Sequence, residues 1–201
     1  MLKKDVLSGI SAGMAVALGG SVFLACENRY VGSVLFCTAL LCICFKGYAL
    51  FTGKIGYIPE AHGKAEWQLL LLGLLGNLIG TFICGVAVRY AIPNIGDAAL
   101  TVCTAKLSQT AMSTLIRGIF CGMLMYLAVS IYRDNETALG ILFCIPVFIL
   151  SGFEHSIADM FYFAASGIVS AKAFIFIWLV IIGNSIGGML FPVLKIWGEK
   201  K

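Results

Sequence analysis

Histidine is nearly absent from this chain: two occur in 201 residues, His62 and His155. Charged residues make up only 12%, and there are 4 prolines. These shortages exclude several functions. With His62 in a polar loop, His155 has no histidine partner to ligate a haem inside a membrane. No glycine-rich loop ending in Lys-Ser or Lys-Thr is present, so no nucleotide-driven step belongs to this chain. The basic residues form no patch interleaved with aromatics, which argues against a nucleic-acid partner. Cysteine is not scarce, with eight residues, but these fall almost entirely inside apolar segments and read as small buried hydrophobes rather than a disulfide framework. Cys42-Ile43-Cys44 is too closely spaced for a standard zinc pair and lacks partners, so no metal and no cofactor is assigned.

What is abundant is apolar surface. Hydrophobic residues make up 60% of the chain and the mean hydropathy is +0.98. A soluble domain of this size has no use for so much, so the chain reads as an integral membrane protein. The 23 glycines suit helices that approach one another closely in lipid. Six stretches are long enough to cross a bilayer: about 6–25, 31–52, 67–90, 111–132, 138–157 and 172–197. Lys3 and Lys4 ahead of the first run imitate a signal peptide, but its glycine content and direct continuation favour an uncleaved first helix. The polar joints are Glu27-Asn28-Arg29, Lys54 to Glu66, Pro93 to Gln109, Arg133 to Thr137 and Ala164 to Ala171. An even number of spans puts both termini on one side. Lys3, Lys4, Lys54, Lys64, Arg133, Lys195, Lys200 and Lys201 share that side, against Arg29, Arg89, Lys106, Arg117 and Lys172 opposite. Eight against five points to cytoplasmic termini.

The chain repeats itself. Gly9-Ile10-Ser11-Ala12-Gly13-Met14 in span one is echoed by Gly118-Ile119-Phe120-Cys121-Gly122-Met123 in span four. Gly76-Asn77-Leu78-Ile79-Gly80 in span three is echoed by Gly183-Asn184-Ser185-Ile186-Gly187 in span six. Three spans per half is an odd number, so the second half enters the membrane from the opposite side. The predicted fold is therefore an all-α membrane protein, one transmembrane domain over 1–201, with six helices in two inverted three-helix repeats, about 6–90 and 111–197. Asn77 and Asn184 are candidates for packing the helices or supporting loops.

Within this plan, Ser151-Gly152-Phe153-Glu154-His155-Ser156-Ile157-Ala158-Asp159 stands out. His155 lies deep in an apolar run, where an ionisable residue is costly and is normally kept for substrate or proton handling. The glycine before it and the polar residues after it suggest a broken helix, which hydrocarbon tolerates only where freed backbone groups face protein or water. The alternative is a buried histidine bonded to a neighbouring helix. In the first half, Leu50-Phe51-Thr52-Gly53 occupies the position of Phe153-Glu154-His155-Ser156, so helices two and five are both expected to break. Thr52 then supplies a hydroxyl opposite the imidazole.

Leu50-Phe51-Thr52-Gly53, Gly76-Asn77-Leu78-Ile79-Gly80, Arg117-Gly118-Ile119-Phe120-Cys121, Gly152-Phe153-Glu154-His155-Ser156-Ile157-Ala158 with Met160-Phe161, and Gly183-Asn184-Ser185-Ile186-Gly187-Gly188 appear together and in order. This set resembles the formate–nitrite transporter family from Lys4 to about Trp197. The resemblance implies an aquaporin-like homopentamer in the cytoplasmic (inner) membrane of a prokaryote, each protomer with its own pore. It implies passage of formate, nitrite or hydrosulfide, or their conjugate acids. His155 matches the central histidine and Thr52 the threonine of the broken second helix. Lys106 matches the lysine of the outer vestibule. Leu40, Leu50 and Phe51 match the inner constriction, and Phe36 and Phe148 the outer one. Gly122 and Asp159 stand where asparagine is usual, and Ala49 replaces a common acidic residue.

The expected mechanism follows from desolvation. A bare anion in an apolar constriction loses tens of kcal/mol of hydration in the low-dielectric limit, whereas its conjugate acid is neutral. Lys106 is expected to draw the anion in, and His155 with Thr52 to aid its protonation between the constrictions. Burial favours the uncharged imidazole. Glu154 belongs to the same pathway set but is expected to project elsewhere on the helix. Lys46, unpaired in span two, is expected to snorkel or to pair with Glu154 or Asp159. The partners are thus a small monovalent anion, a proton, membrane lipid and further copies of the chain. A neutral-solute channel shares the inverted plan, but its paired Asn-Pro-Ala helix ends are missing. An enzyme is not indicated, and a purely structural scaffold has no need of His155 in a helix break.

Overall fold

In a computed structural model that describes residues 2–199, the chain is helical and carries no strand among those residues. The helices are α1 (Leu2–Ala25), α2 (Arg29–Lys46), α3 (Phe51–Lys54), α4 (Lys64–Ala91), α5 (Pro93–Leu107), α6 (Ala111–Asn135), α7 (Leu139–Leu150), α8 (Ser156–Ser166) and α9 (Ala171–Glu199), with a 3-10 turn over Ile55–Tyr57. Of these, α1, α2, α4, α6 and α9 are long and apolar enough to cross a membrane. The stretch predicted as a single span over 138–157 is two shorter helices, α7 of 12 residues and α8 of 11, separated by a break. The predicted span 31–52 likewise ends at Lys46 and resumes as α3.

The local signals explain the boundaries. Asn28 caps α2, its Oδ1 accepting from the N–H groups of Tyr30 (2.9 Å) and Val31 (3.2 Å). Thr110 caps α6 by accepting from the Ser113 N–H at 3.3 Å. The segment 93–109, predicted as a joint, is instead mostly the helix α5. Pro93 sits in its first turn, where a missing N–H costs nothing, so the proline starts a helix rather than marking a loop.

Glycines let the long helices cross at backbone distance. Gly9 and Gly13 of α1 lie against Gly73, Gly76 and Asn77 of α4, and Gly80 lies against Ile10 and Met14. In the second half, Gly118 and Gly122 of α6 lie against Gly183, Asn184 and Gly188 of α9 in the same manner, and Gly187 lies against Ile119. A Cβ at Gly13, Gly80, Gly122 or Gly187 would collide with a backbone carbonyl oxygen across the crossing. Close approach of this kind is how helices associate where lipid removes the hydrophobic drive between them. Outward positions remain apolar, as at Leu18, Leu71, Phe82, Phe143 and Phe174. The polar side chains that are fully buried, among them Asn77, Thr81, Asn184 and Thr52, point inward.

Candidate functional site

Two helix breaks face the interior, and they are built alike. In the first, Gly47 adopts φ 67° after α2, and the Tyr48 N–H returns to the Ile43 carbonyl at 3.0 Å. In the second, Gly152 adopts φ 71° after α7, and the Phe153 N–H returns to the Phe148 carbonyl at 3.0 Å. Only glycine takes this left-handed turn without steric cost. Each break is then tied down by one buried asparagine. Asn77 Oδ1 accepts the Phe51 N–H (2.9 Å), and its Nδ2 donates to the carbonyls of Ala49 (2.9 Å) and Gly9 (2.8 Å). Asn184 Oδ1 accepts the Ser156 N–H (2.9 Å), and its Nδ2 donates to the carbonyls of Glu154 (2.8 Å) and Gly118 (2.9 Å). A side-chain amide has one acceptor oxygen and two donor hydrogens, enough to satisfy the N–H and the C=O that the break leaves bare and to bond a carbonyl of the crossing helix as well. The asparagines thus support the breaks as well as the helix crossings.

These bonds also reset the register between the halves. Gly47 pairs with Gly152, Ala49 with Glu154 and Phe51 with Ser156, so the counterpart of His155 is Leu50. Alignment of Thr52 with His155, expected from the motifs alone, is two residues out. Short motifs without a shared turn glycine in view align too loosely to fix such a register.

Thr52 nevertheless meets the histidine: its Oγ1 is 2.9 Å from His155 Nε2. His155 Nδ1 accepts the Ala158 N–H at 3.1 Å and so caps α8. A backbone N–H can only donate, so in the neutral ring the proton belongs on Nε2, which donates to Thr52 Oγ1. The ring also stacks on Phe148, with centroids 5.7 Å apart. His155 is 4% exposed and Thr52 1%.

Three cavities lie in series around this pair. The outer one, about 580 Å³, is lined by Arg29, Lys106, Gln109, Arg117, Phe148, Glu154, His155 and Asp159 among others. A void of about 10 Å³, with an apolar lining, follows; Phe36, Leu40, Leu50, Phe148 and His155 line it. The inner cavity, about 210 Å³, is reached past Leu40 and Leu50 and carries Lys54 and Arg133. Phe36 and Phe148 meet edge to face with centroids 6.1 Å apart. Two apolar necks therefore flank a chamber too small for a hydrated ion. In the inner mouth, burial first and Arg133 second hold Lys54 below the ordinary lysine range, and Arg133 lies 4.0 Å above the Tyr57 ring.

The outer cavity departs from expectation in several ways. Lys106 is not a free anion lure: its Nζ is paired with Glu154 Oε2 and lies 2.9 Å from Asp159 Oδ1. Glu154 does not project elsewhere but turns into the cavity, where Gln109 Nε2 also donates to its Oε1 at 2.7 Å. Lys46 therefore has no role as partner to either acid. It is exposed, at an open basic mouth with Lys3 and Lys4. Gly122 is buried in the α6–α9 crossing, where a side chain has no room, so its place in the pathway set is corrected to packing. Phe51 is buried beside Asn77 and lines none of the three cavities.

Three residues carry roles that the sequence pattern does not announce. Arg29 donates to the Ile149 carbonyl (2.9 Å) and Arg117 to the Gly152 carbonyl (2.8 Å), so two guanidinium groups close the bare end of α7. Gln109 bridges Glu154 and Thr114. The one signal the sequence offers is that Arg29 and Arg117 fall on the same side of the membrane as Lys106. With three cations and two carboxylates, the outer cavity carries a formal charge of +1.

A profile of the family described as formate/nitrite transporter matches residues 2–198. The nitrite transporter NirC of Escherichia coli (strain K12) is 31% identical over 222 residues, covering 95% of this chain and 81% of the relative. The formate channel FocA of Haemophilus influenzae is 24% identical over 190 residues, covering 82% and 66%. Among solved structures, an FNT family ion channel superposes with a TM-score of 0.80 at 25% identity, covering 100% of this chain and 90% of that one. A pentameric formate channel with formate bound superposes with a TM-score of 0.79 at 22% identity, covering 98% and 96%.

Proposed function

This chain belongs to the formate/nitrite transporter family, and from that premise we propose that it passes small monovalent anions such as formate, nitrite or hydrosulfide across the cytoplasmic membrane of a prokaryote, with a proton. It works as a homopentamer with one pathway per protomer, termini cytoplasmic, its six crossings divided into repeats of about 6–90 and 111–197. The observation that carries this reading is the series of cavities: charged mouths at either end and a minute apolar chamber between, with His155 at its wall and Thr52 bonded to the imidazole from behind.

The anion collects in the outer cavity, held by the net positive charge to which Arg29 and Arg117 contribute. At the Phe36–Phe148 neck its hydration shell must go, and the charged form is strongly disfavoured there. As the neutral acid it passes into the chamber, where Thr52 Oγ1, already accepting from His155 Nε2, turns its own hydroxyl hydrogen toward the permeant. His155 and Thr52 thus position the neutral passenger between the two necks. Beyond Leu40 and Leu50, water in the inner cavity takes the proton back, and Lys54 and Arg133 receive the anion.

Proteoliposome uptake of formate, nitrite and hydrosulfide, measured across pH with an internal pH dye, tests this. Uptake of at least one anion with an accompanying proton, lost in His155→Asn, is the expected result. Passage of glycerol or water with no anion flux would overturn it in favour of a neutral-solute channel.

A further inference from the structure

The outer cavity holds two buried carboxyl groups, Glu154 at 2% exposure and Asp159 at 1%, facing one lysine. They are not equally served. Glu154 is bonded at both oxygens, from Lys106 and from Gln109, as a carboxylate should be. Asp159 has only the ion pair from Lys106 at 2.9 Å on Oδ1, and among the described residues neither of its oxygens has an aligned hydrogen-bond partner. One cation cannot compensate two desolvated carboxylates, and two like charges in one site resist joint ionisation. His155, in contrast, has no free nitrogen: Nδ1 is committed to the Ala158 N–H and Nε2 to Thr52.

Resting on the anion-transport reading above, we propose that Asp159, rather than His155, is the proton donor of this pathway: a neutral carboxylic acid in the outer cavity that protonates the arriving anion. The groups facing Asp159 are Lys106 and Cys103 from α5, Cys121 from α6, and Glu154, His155 and Tyr162 from its own segment. Lys106 is the one cation in that set. In the resting state the acid carries its proton on Oδ2 while Oδ1 faces Lys106, and the cavity is one unit more positive than with both acids ionised. The anion enters, the Oδ2–H bond breaks, and the proton forms a bond to the anion's oxygen or sulfur. The passenger leaves toward the neck as a neutral acid, and the aspartate left behind is held by Lys106 until water in the outer cavity restores its proton. Total charge is unchanged by the transfer, and no oxidant or co-reactant is needed. His155 and Thr52 then act as positioning residues.

The test uses the full-length protein in proteoliposomes. Asp159→Asn keeps the size of the side chain and removes its acidity, and proton-coupled formate uptake should fall about 10²-fold, within the range of lost general-acid assistance. Wild-type uptake and proton stoichiometry in Asp159→Asn would overturn the proposal while leaving the transport reading in place. A wild-type protein that moves none of the three anions would overturn both. Infrared spectroscopy of the wild-type protein at neutral pH keeps the idea testable should the variant fail to fold. A protonated-carboxyl C=O band that shifts in D2O and on labelling with carbon-13 aspartate is expected, and its absence would overturn the assignment.

Discussion

Asn184→Ala removes three hydrogen bonds of 2.8–2.9 Å with one side chain. It strands the Ser156 N–H and the Glu154 carbonyl in a place where no water enters, since Asn184 is fully buried, whereas the Gly118 carbonyl lies inside α6 and keeps its helical bond. Interhelical hydrogen bonds in membranes average only about 0.6 kcal/mol each, because side chains find other partners in the unfolded state. Three at that value give about 2 kcal/mol. Two of these groups, however, the Ser156 N–H and the Glu154 carbonyl, belong to a backbone already pulled out of its helix, and each buried orphan costs about 1–3 kcal/mol, which puts the upper limit at about 6 kcal/mol. The second regime should dominate, because the Ser156 N–H and the Glu154 carbonyl sit in the break, where no helical partner replaces the amide. The assay is reversible unfolding of the purified protein in mixed micelles, with helicity as signal, on Asn184→Ala and Asn77→Ala in parallel. Because Asn77 makes the same three bonds at the other break, the two losses should agree within about 1 kcal/mol, the scatter usual for one interaction in two settings. A loss under about 1 kcal/mol for either would refute the view that these amides hold the breaks open.

Two further substitutions separate site from scaffold. Thr52→Val keeps the branched shape but leaves His155 Nε2–H without its acceptor; the orphaned donor costs about 1–3 kcal/mol, and formate flux should fall by more than tenfold at unchanged oligomer yield. Wild-type flux in this variant would remove Thr52 from the chamber's chemistry. Lys46→Met should leave folding and flux within about twofold of wild type, because an exposed lysine with no ion pair among the described residues contributes little; a collapse of either would restore a structural role for its charge.

The path from sequence to fold is short where physics acts along the chain, and long where it acts across it. Apolar length and glycine spacing are local, so the helices and their two crossings can be read from the repeated Gly9/Gly13 and Gly76/Asn77/Gly80 patterns directly. Breaking of the second and fifth helices is also legible, because a glycine beside polar residues in hydrocarbon marks backbone groups that need protein or water to face. Side-chain direction is not. Whether Glu154 turns toward His155 or away depends on the left-handed turn at Gly152 and on Asn184, 30 residues further on, holding the Glu154 carbonyl. Lys106 reads as an open cation only while 93–109 is read as a loop; the helix α5 brings Lys106, and the joint after it brings Gln109, to Glu154 and Asp159 together. Arg29 and Arg117 are legible as charges on the right side but not as caps, since their acceptors are carbonyls that exist only because α7 ends early.

The corrected register adds one consequence. Two breaks built on matching turns and matching asparagines place His155 and Leu50 at equivalent points of the two halves, and the small void touches both. A symmetric scaffold therefore presents an imidazole from one side and an isobutyl group from the other. Dispersion from Leu50 narrows the chamber, and the polar contact falls to the His155–Thr52 pair alone. Were both positions polar, water could bridge them and the chamber would lose the dryness that discriminates an acid from its anion. On the proposed passage as a neutral acid, the asymmetry across an otherwise repeated frame is the feature that favours the uncharged form.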